Sequence, residues 1–296
     1  GSYELFGENE HISFGFTTEG KKQFKRNKKG YKRLSDHIGL FPLVMISPSD
    51  SVLISGGSEE RRKFIDGVIA QFDHPYLETL IRYNRALLQR NNLLKQFSEN
   101  RNFDPDTLAI YDEQLGELGE LIHRKRKSFL EEIIPVFQEF YNFIAGGNEI
   151  VSLRYNSTLN NEPLRDQLRA MLPRDRAAQY TGAGIHKDDL DLMLGDYPIR
   201  KIGSQGQNKT YLVALKFAQF EYLKNKAGVK PLLLLDDIFA KFDTKRVEKI
   251  IELVSRDQFG QIFITDTNRE HLREILIKIP AENKIFTIVN GKIENA

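Results

Sequence analysis

Two short segments hold the residues best suited to chemistry. Ser204-Gln205-Gly206-Gln207 sets a hydroxyl, two amides and a bare backbone position at the head of a helical pattern. Downstream, Leu232-Leu233-Leu234-Leu235 leads straight into Asp236-Asp237. A helix amino end carries unpaired N–H groups and a partial positive charge, so the first segment suits a phosphate. Ser204 is placed to cap that helix, and Gly206 has no side chain to block an oxyanion. Paired carboxylates at a strand end suit the complementary chemistry, with Asp236 holding Mg²⁺ and Asp237 orienting or deprotonating an attacking water. Taken singly, each segment also describes something plainer, an ordinary serine cap or a solvated Asp-Asp turn. Their succession along the chain favours the chemical reading.

Four leucines without polar alternation suit a strand covered on both faces, as in a parallel sheet flanked by helices. The carboxyl ends of such strands open onto the crevice where α/β sheets bind ligands. Upstream, Tyr211, Leu212, Ala214, Leu215, Ala218, Tyr222 and Leu223 recur at helical spacing from Gln205 to near Lys226, and Ala227-Gly228 supplies a stop. Downstream, Thr244 to Ser255 reads as a helix and Gln261 to Thr265 as a further parallel strand with Thr265 at its tip. A Gly-x-x-x-x-Gly-Lys-Ser/Thr phosphate loop occurs nowhere in the 296 residues.

These segments resemble ABC-type ATPases. Gly203 to Gln207 is similar to their signature motif, Leu232 to Asp237 to their Walker B strand, and Ala240-Lys241-Phe242-Asp243 to their D-loop. Ser47-Pro48, Gly57 to Asp66, Tyr83 to Asn91 and Thr181 to Leu190 narrow the resemblance to the RecF family. The resemblance implies an ABC-type head of α/β class with a mixed or parallel sheet, plus a helical second lobe. It implies ATP and Mg²⁺ as cofactors, with Ser204, Gln205, Gly206, Gln207, Asp243 and Thr265 on the nucleotide, Asp236 on the metal and Asp237 as catalytic base. Asp237 stands where transporter ATPases carry Glu, and Lys187 stands where the family carries Arg, which loses the bidentate fork. The family's phosphate loop is expected ahead of Tyr3. On that expectation Gly1-Ser2 reads as a cloning remnant, and the chain as a truncated piece that binds ATP poorly alone.

Charge and composition add a second theme. The net charge is only +2, but Lys21, Lys22, Lys25, Arg26, Lys28 and Lys29 crowd one stretch around an Asn27–Gly30 turn that follows a strand-like Ile12 to Thr18. A basic hairpin neutralises DNA phosphates without reading sequence, although a solvated loop has the same composition. Zero cysteines exclude disulfides, and no apolar run is long enough for a membrane-spanning helix. Glu59 to Gln71, Tyr76 to Gln96 and Thr107 to Phe143 read as helices, with a cap at Ser58, a turn at His74-Pro75 and a hairpin tip at Asn100 to Asp106. His123 to Lys127 reads as a solvated basic face, Arg61-Arg62 as a clamp for a carboxylate across the lobes, and His186 as a hydrogen-bonded structural histidine. Val151 to Tyr155 and Leu190 to Leu194 read as strands, Glu162 to Leu172 as a helix.

The expected organisation is residues 3–57 as part of the ATPase lobe, 58–145 as the helical lobe and 146–296 as the remainder of the ATPase lobe. The resemblance implies a bacterial cytoplasmic, nucleoid-associated protein of recombinational repair. It would be a slow ATPase that dimerises on ATP, binds double-stranded DNA or its junctions, and works with RecR and RecO. A nucleotide-independent interaction platform and a transporter's nucleotide-binding subunit are the alternatives.

Overall fold

The computed structural model describes residues 1–5, 7–16, 20, 22–239, 242–267, 273, 276–277 and 282–295. The amino-terminal part forms an antiparallel sheet in which β1 (Ser2–Leu5), β2 (Glu8–Phe16), β3 (Lys22–Arg26) and β4 (Lys29–Gly30) pair in order. Asn27 and Lys28 close the β3–β4 hairpin with φ of 49° and 68°, the paired left-handed residues that match the twist of flanking strands. The strand expected from Ile12 begins earlier, at Glu8, and Thr17, Thr18 and Lys21 lie outside the described residues. The chain then enters β5 (Leu43–Ile46), a single turn at Pro48–Ser51 and the short α1 (Val52–Ser55).

Three helices follow: α2 (Ser58–Ala70), α3 (His74–Asn100) and α4 (Pro105–Ala145). Their boundaries correct the sequence reading. Ser58 is not a cap but the first helical residue after Gly57, with no side-chain bond at the start. His74-Pro75 is not a turn before a helix; it is the first turn of α3, since Asp73 accepts from the Tyr76 N–H and a proline needs no donor there. Pro105 likewise opens α4 behind the Asp104 cap. The basic run is solvated only in part: Arg124, Lys125 and Lys127 are exposed, but two members turn inward. Arg126 is 1% exposed and His123 is buried, while Lys125 reaches Asp73 at 2.6 Å.

The chain returns through β6 (Val151–Asn156), α5 (Leu164–Ala178), β7 (Asp189–Leu194), β8 (Tyr197–Pro198) and α6 (Ile199–Ile202), with β6, β7 and β8 forming a second antiparallel sheet. α5 runs past the expected end at Leu172, through Pro173, to a left-handed Gln179. α7 (Gln205–Ala227) ends at Gly228 with φ 67°, as its sequence requires. It leads to β9 (Leu232–Asp236), α8 (Thr244–Val254), β10 (Ile262–Thr265) and a terminal hairpin of β11 (Thr287–Val289) and β12 (Lys292–Asn295).

β10, β9 and β5 form a parallel sheet in that order. α7 lies between this sheet and the carboxyl half of α4, so it is apolar nearly all round: Tyr211, Phe217, Phe220 and Leu223 are each fully buried. Each such side chain contributes about 1.5–3 kcal/mol by leaving water. A single apolar core joins α2, α3, α4, α7, α8 and the strands β5, β6, β7 and β9. The opposite sheet face is barer, with Leu43, Met45 and Phe263 between 38% and 51% exposed.

Candidate nucleotide site

The parallel sheet delivers its polar residues to one edge. Asp236 ends β9 in register with Thr265 of β10, whose Oγ1 donates to Asp236 Oδ1 at 2.5 Å. Asp237 follows in the left-handed region, φ 48°, and its N–H donates to the Thr265 carbonyl at 3.1 Å. This kink redirects the chain just past the strand, and Ile238 and Phe239 then bury themselves again. On the other side Ile46 is in register with Leu235, which puts Ser47 beside Asp236. The Ser47 N–H donates to Asp50 Oδ2 at 2.8 Å, and Lys216 of α7 donates to Asp50 Oδ1 at 2.8 Å. Ser47, Asp50, Asp236, Asp237 and Thr265 therefore share the carboxyl edge of the sheet. Sequence reasoning does not single out Asp50 or Lys216, because their pairing spans 166 positions and no local pattern announces it.

The start of α7 is built as a reciprocal cap. Gln207 N–H donates to Ser204 Oγ at 3.2 Å, and Ser204 N–H donates to Gln207 Oε1 at 2.8 Å. The Gln207 amide also donates to Glu149 Oε1 at 2.9 Å, and Glu149 accepts from the Tyr141 hydroxyl. Burial and the neighbouring carboxylate push the Tyr141 hydroxyl well above its ordinary range. Arg246, in the first turn of α8, lies against Gly206: a Cβ added there would meet Nη1 at 2.3 Å. Asp243 caps α8 through the Arg246 N–H at 3.0 Å, while Ala240 and Lys241 lie outside the described residues.

The two parts of the site do not meet within the chain. From Gln205 to Lys216, α7 rises about 16 Å at 1.5 Å per residue. Lys216 is the residue that touches the strand-tip cluster. Among the described residues, Ser204 bonds only to Gln207 and Asn208, and no hydrogen bond links it or Gly206 to Asp236.

Elsewhere the expected residues are positioned as follows. Lys22, Lys25, Lys28 and Lys29 are exposed on the hairpin, whereas Arg26 is held by Glu10 at 2.8 and 2.5 Å. Arg61 grips the Asp189 carboxylate with both Nε and Nη2, at 2.7 and 2.9 Å, as the expected clamp requires, whereas Arg62 donates to the Asp188 backbone carbonyl at 2.6 Å. Arg126 donates to Asp66 at 2.8 and 2.9 Å and to Asp188 at 2.9 Å. Arg90, fully buried, donates to Asp112, Asp175 and Thr181.

His186 sits within this network. Its Nε2 donates to the Thr181 carbonyl at 3.1 Å, which leaves Nδ1 to accept from the Tyr83 hydroxyl at 3.0 Å. Burial, with Lys187, Arg62 and Arg90 nearby, lowers its pKa to about 4. Between that value and 6.5 the unfolded chain binds a proton that the fold refuses, so stability falls as pH drops through this window. From pH 7 to pH 4.5, His186 accounts for a loss of about 2 kcal/mol in unfolding free energy. Urea unfolding of the protein and of His186→Gln at both pH values checks this: the variant should lose less by about that amount.

The residues present fit a nucleotide-bound Mg²⁺ better than a free one. Among the described residues no group of three or more His, Cys, Asp or Glu side chains is arranged to hold a metal. Mg²⁺ is typically bound by one or two carboxylates with phosphates and water completing the shell, and Asp236 matches that role.

In comparison with known proteins, the chain is 53% identical over 294 residues to the DNA replication and repair protein RecF of Bacteroides fragilis (strain YCH46). That alignment takes in 99% of this chain and 79% of the relative. It is 54% identical over 287 residues to the protein of the same name from Bacteroides thetaiotaomicron, covering 97% of this chain and 77% of the relative. Among solved structures it is similar to the recombination mediator protein RecF–ATPrS in the RecFOR pathway. The TM-score is 0.82 at 28% identity, over 99% of this chain and 77% of the other. No protein-family model matches the chain.

Proposed function

Because this chain belongs to the RecF family of DNA replication and repair proteins, we propose that it works as part of an ATP-gated clamp on DNA. The supporting observation is the separation of the two half-sites: about 16 Å of α7 stands between Ser204 and the residue that reaches the strand tips. A pocket that needs both parts is completed by a second copy. Asp236, Asp237 and Thr265 of one protomer face the triphosphate, and Ser204, Gln205, Gly206 and Gln207 of the other close over it. Bound ATP with Mg²⁺ supplies the charge that this chain's amides and hydroxyls are arranged to meet. Asp243 caps the helix next to that closure.

Within the pocket Asp236 holds the metal side of the nucleotide, oriented by the Thr265 hydroxyl. Asp237 takes the proton of the attacking water. Loss of the terminal phosphate removes contacts available only in the closed dimer, so turnover opens it. The exposed lysines of the hairpin, Lys22, Lys25, Lys28 and Lys29, contact duplex phosphates while the dimer is closed. Arg26 is committed to Glu10 and leaves those contacts to them. RecR, alone or with RecO, is the partner at gapped DNA.

Light scattering on the full-length protein tests this, since the phosphate-cradling loop is not among these 296 residues. ATP should double the mass. Ser204→Ala removes one hydrogen bond to a charged group and should raise the ATP needed for half-dimerisation about tenfold. A mass that ignores ATP contradicts the split pocket.

A further inference from the structure

We propose that Arg246 is a second trans-acting contact to the triphosphate, delivered to the partner's nucleotide together with Ser204. This rests on the split pocket above and adds to it a guanidinium.

The first ground is position. The Arg246 guanidinium occupies the face of α7 that Gly206 leaves bare, close enough that any side chain at 206 would displace it. That is the face over which a phosphate must settle if Ser204 and the first amides of α7 are to bind it. A phosphate brought to Ser204 and the first amides of α7 lies next to Arg246.

Comparison with the fully buried arginines supplies the second ground. Arg61, Arg90 and Arg126 are each fixed by two or more acceptors at 2.6–2.9 Å. Arg246 has one ion pair among the described residues, to Asp243, at 3.6 Å, too long for a hydrogen bond. Its side chain is 20% exposed and that of Asp243 is 57% exposed, so the pairing is loose and half in water. The fork of donors remains available for a ligand with several oxygens.

The third ground is charge. A cation resting on a helix amino end faces the positive pole of the helix dipole, an unfavourable arrangement in the absence of an anion. Asp243 is occupied with capping α8 and offsets this only in part. Glu149 also brings a carboxylate to this helix end but is engaged by the Gln207 amide and the Tyr141 hydroxyl; a terminal phosphate adds negative charge whose oxygens are free to accept. It would accept from Ser204 and from Arg246 at once. Gly206 then has two functions: it admits the phosphate, and it seats the arginine that meets it.

The test uses the full-length protein. Arg246→Ala should raise the ATP needed for half-dimerisation about tenfold or more, as expected for a charge-assisted hydrogen bond to phosphate, with ATP affinity of the monomer unchanged. Arg246→Lys, which keeps the stem and the charge but not the fork, should fall between. A mixing experiment separates trans from cis action. Arg246→Ala and Asp237→Asn chains, each poor in ATP hydrolysis alone, should recover turnover when combined, because one of the two pockets in the mixed dimer is then intact. No recovery on mixing, unchanged dimerisation in Arg246→Ala, or tighter dimerisation as for a released latch would each overturn the proposal. If the unaltered protein fails to dimerise with ATP, the split pocket itself fails. If it dimerises and only Ser204→Ala weakens it, this inference alone fails.

Discussion

Asp237→Asn lowers ATP turnover by about 10²–10⁴-fold in the full-length protein, the range a positioned general base commonly contributes. The carboxamide keeps the size of the side chain and its backbone bond to Thr265, but it cannot take a proton. Its left-handed φ of 48° is one that Asn adopts at least as readily as Asp, so the kink survives. Dimerisation on ATP is therefore retained and prolonged, because the step that removes the terminal phosphate is slowed. Single-turnover hydrolysis beside light scattering checks both halves. Turnover within a few-fold of the unaltered protein assigns the base elsewhere.

Arg126→Ala destabilises the fold by about 3–5 kcal/mol, the cost of breaking a buried ion pair from one side. The guanidinium is 1% exposed and satisfies Asp66 at two positions, Asp188 and the Ile185 carbonyl. Burial already raises the Asp188 pKa, so losing Arg126 leaves a carboxyl that is costly to ionise. Urea unfolding at pH 7 measures the loss, and a change under about 1 kcal/mol would show the network to be dispensable. The same substitution at Lys125, which is 58% exposed although its partner Asp73 is only 11% exposed, costs less, about 1 kcal/mol.

What the sequence discloses follows from how local each signal is. The cap at Ser204, the stop at Gly228 and the strand Leu232–Asp236 are written in contiguous residues, and the structure reproduces them. The turn read at Asn27–Gly30 is also there, narrowed to Asn27-Lys28, since Lys29 and Gly30 already pair as β4. Helix starts at Pro75 and Pro105 escape a sequence reading because proline both ends and begins helices, and only the preceding aspartate decides which. Arg126 reads as solvated because four basic neighbours surround it. Its acceptors, Asp66 and Asp188, lie 60 and 62 positions away. Glu149 and Lys216 are silent for the same reason. Arg246 has a faint local mark, its spacing from the Asp243 cap, which explains its ion pair but not its seat on Gly206.

α4 runs for 41 residues as one helix, with Arg126 gripping the segment before β7 and Tyr141 near its far end holding Glu149 beneath the start of α7. At 1.5 Å per residue it is about 60 Å long, and Pro135 interrupts its hydrogen-bond ladder between those two grips. On the split-pocket proposal, one continuous element thus ties the outer arm to the start of α7, with a weakened point partway.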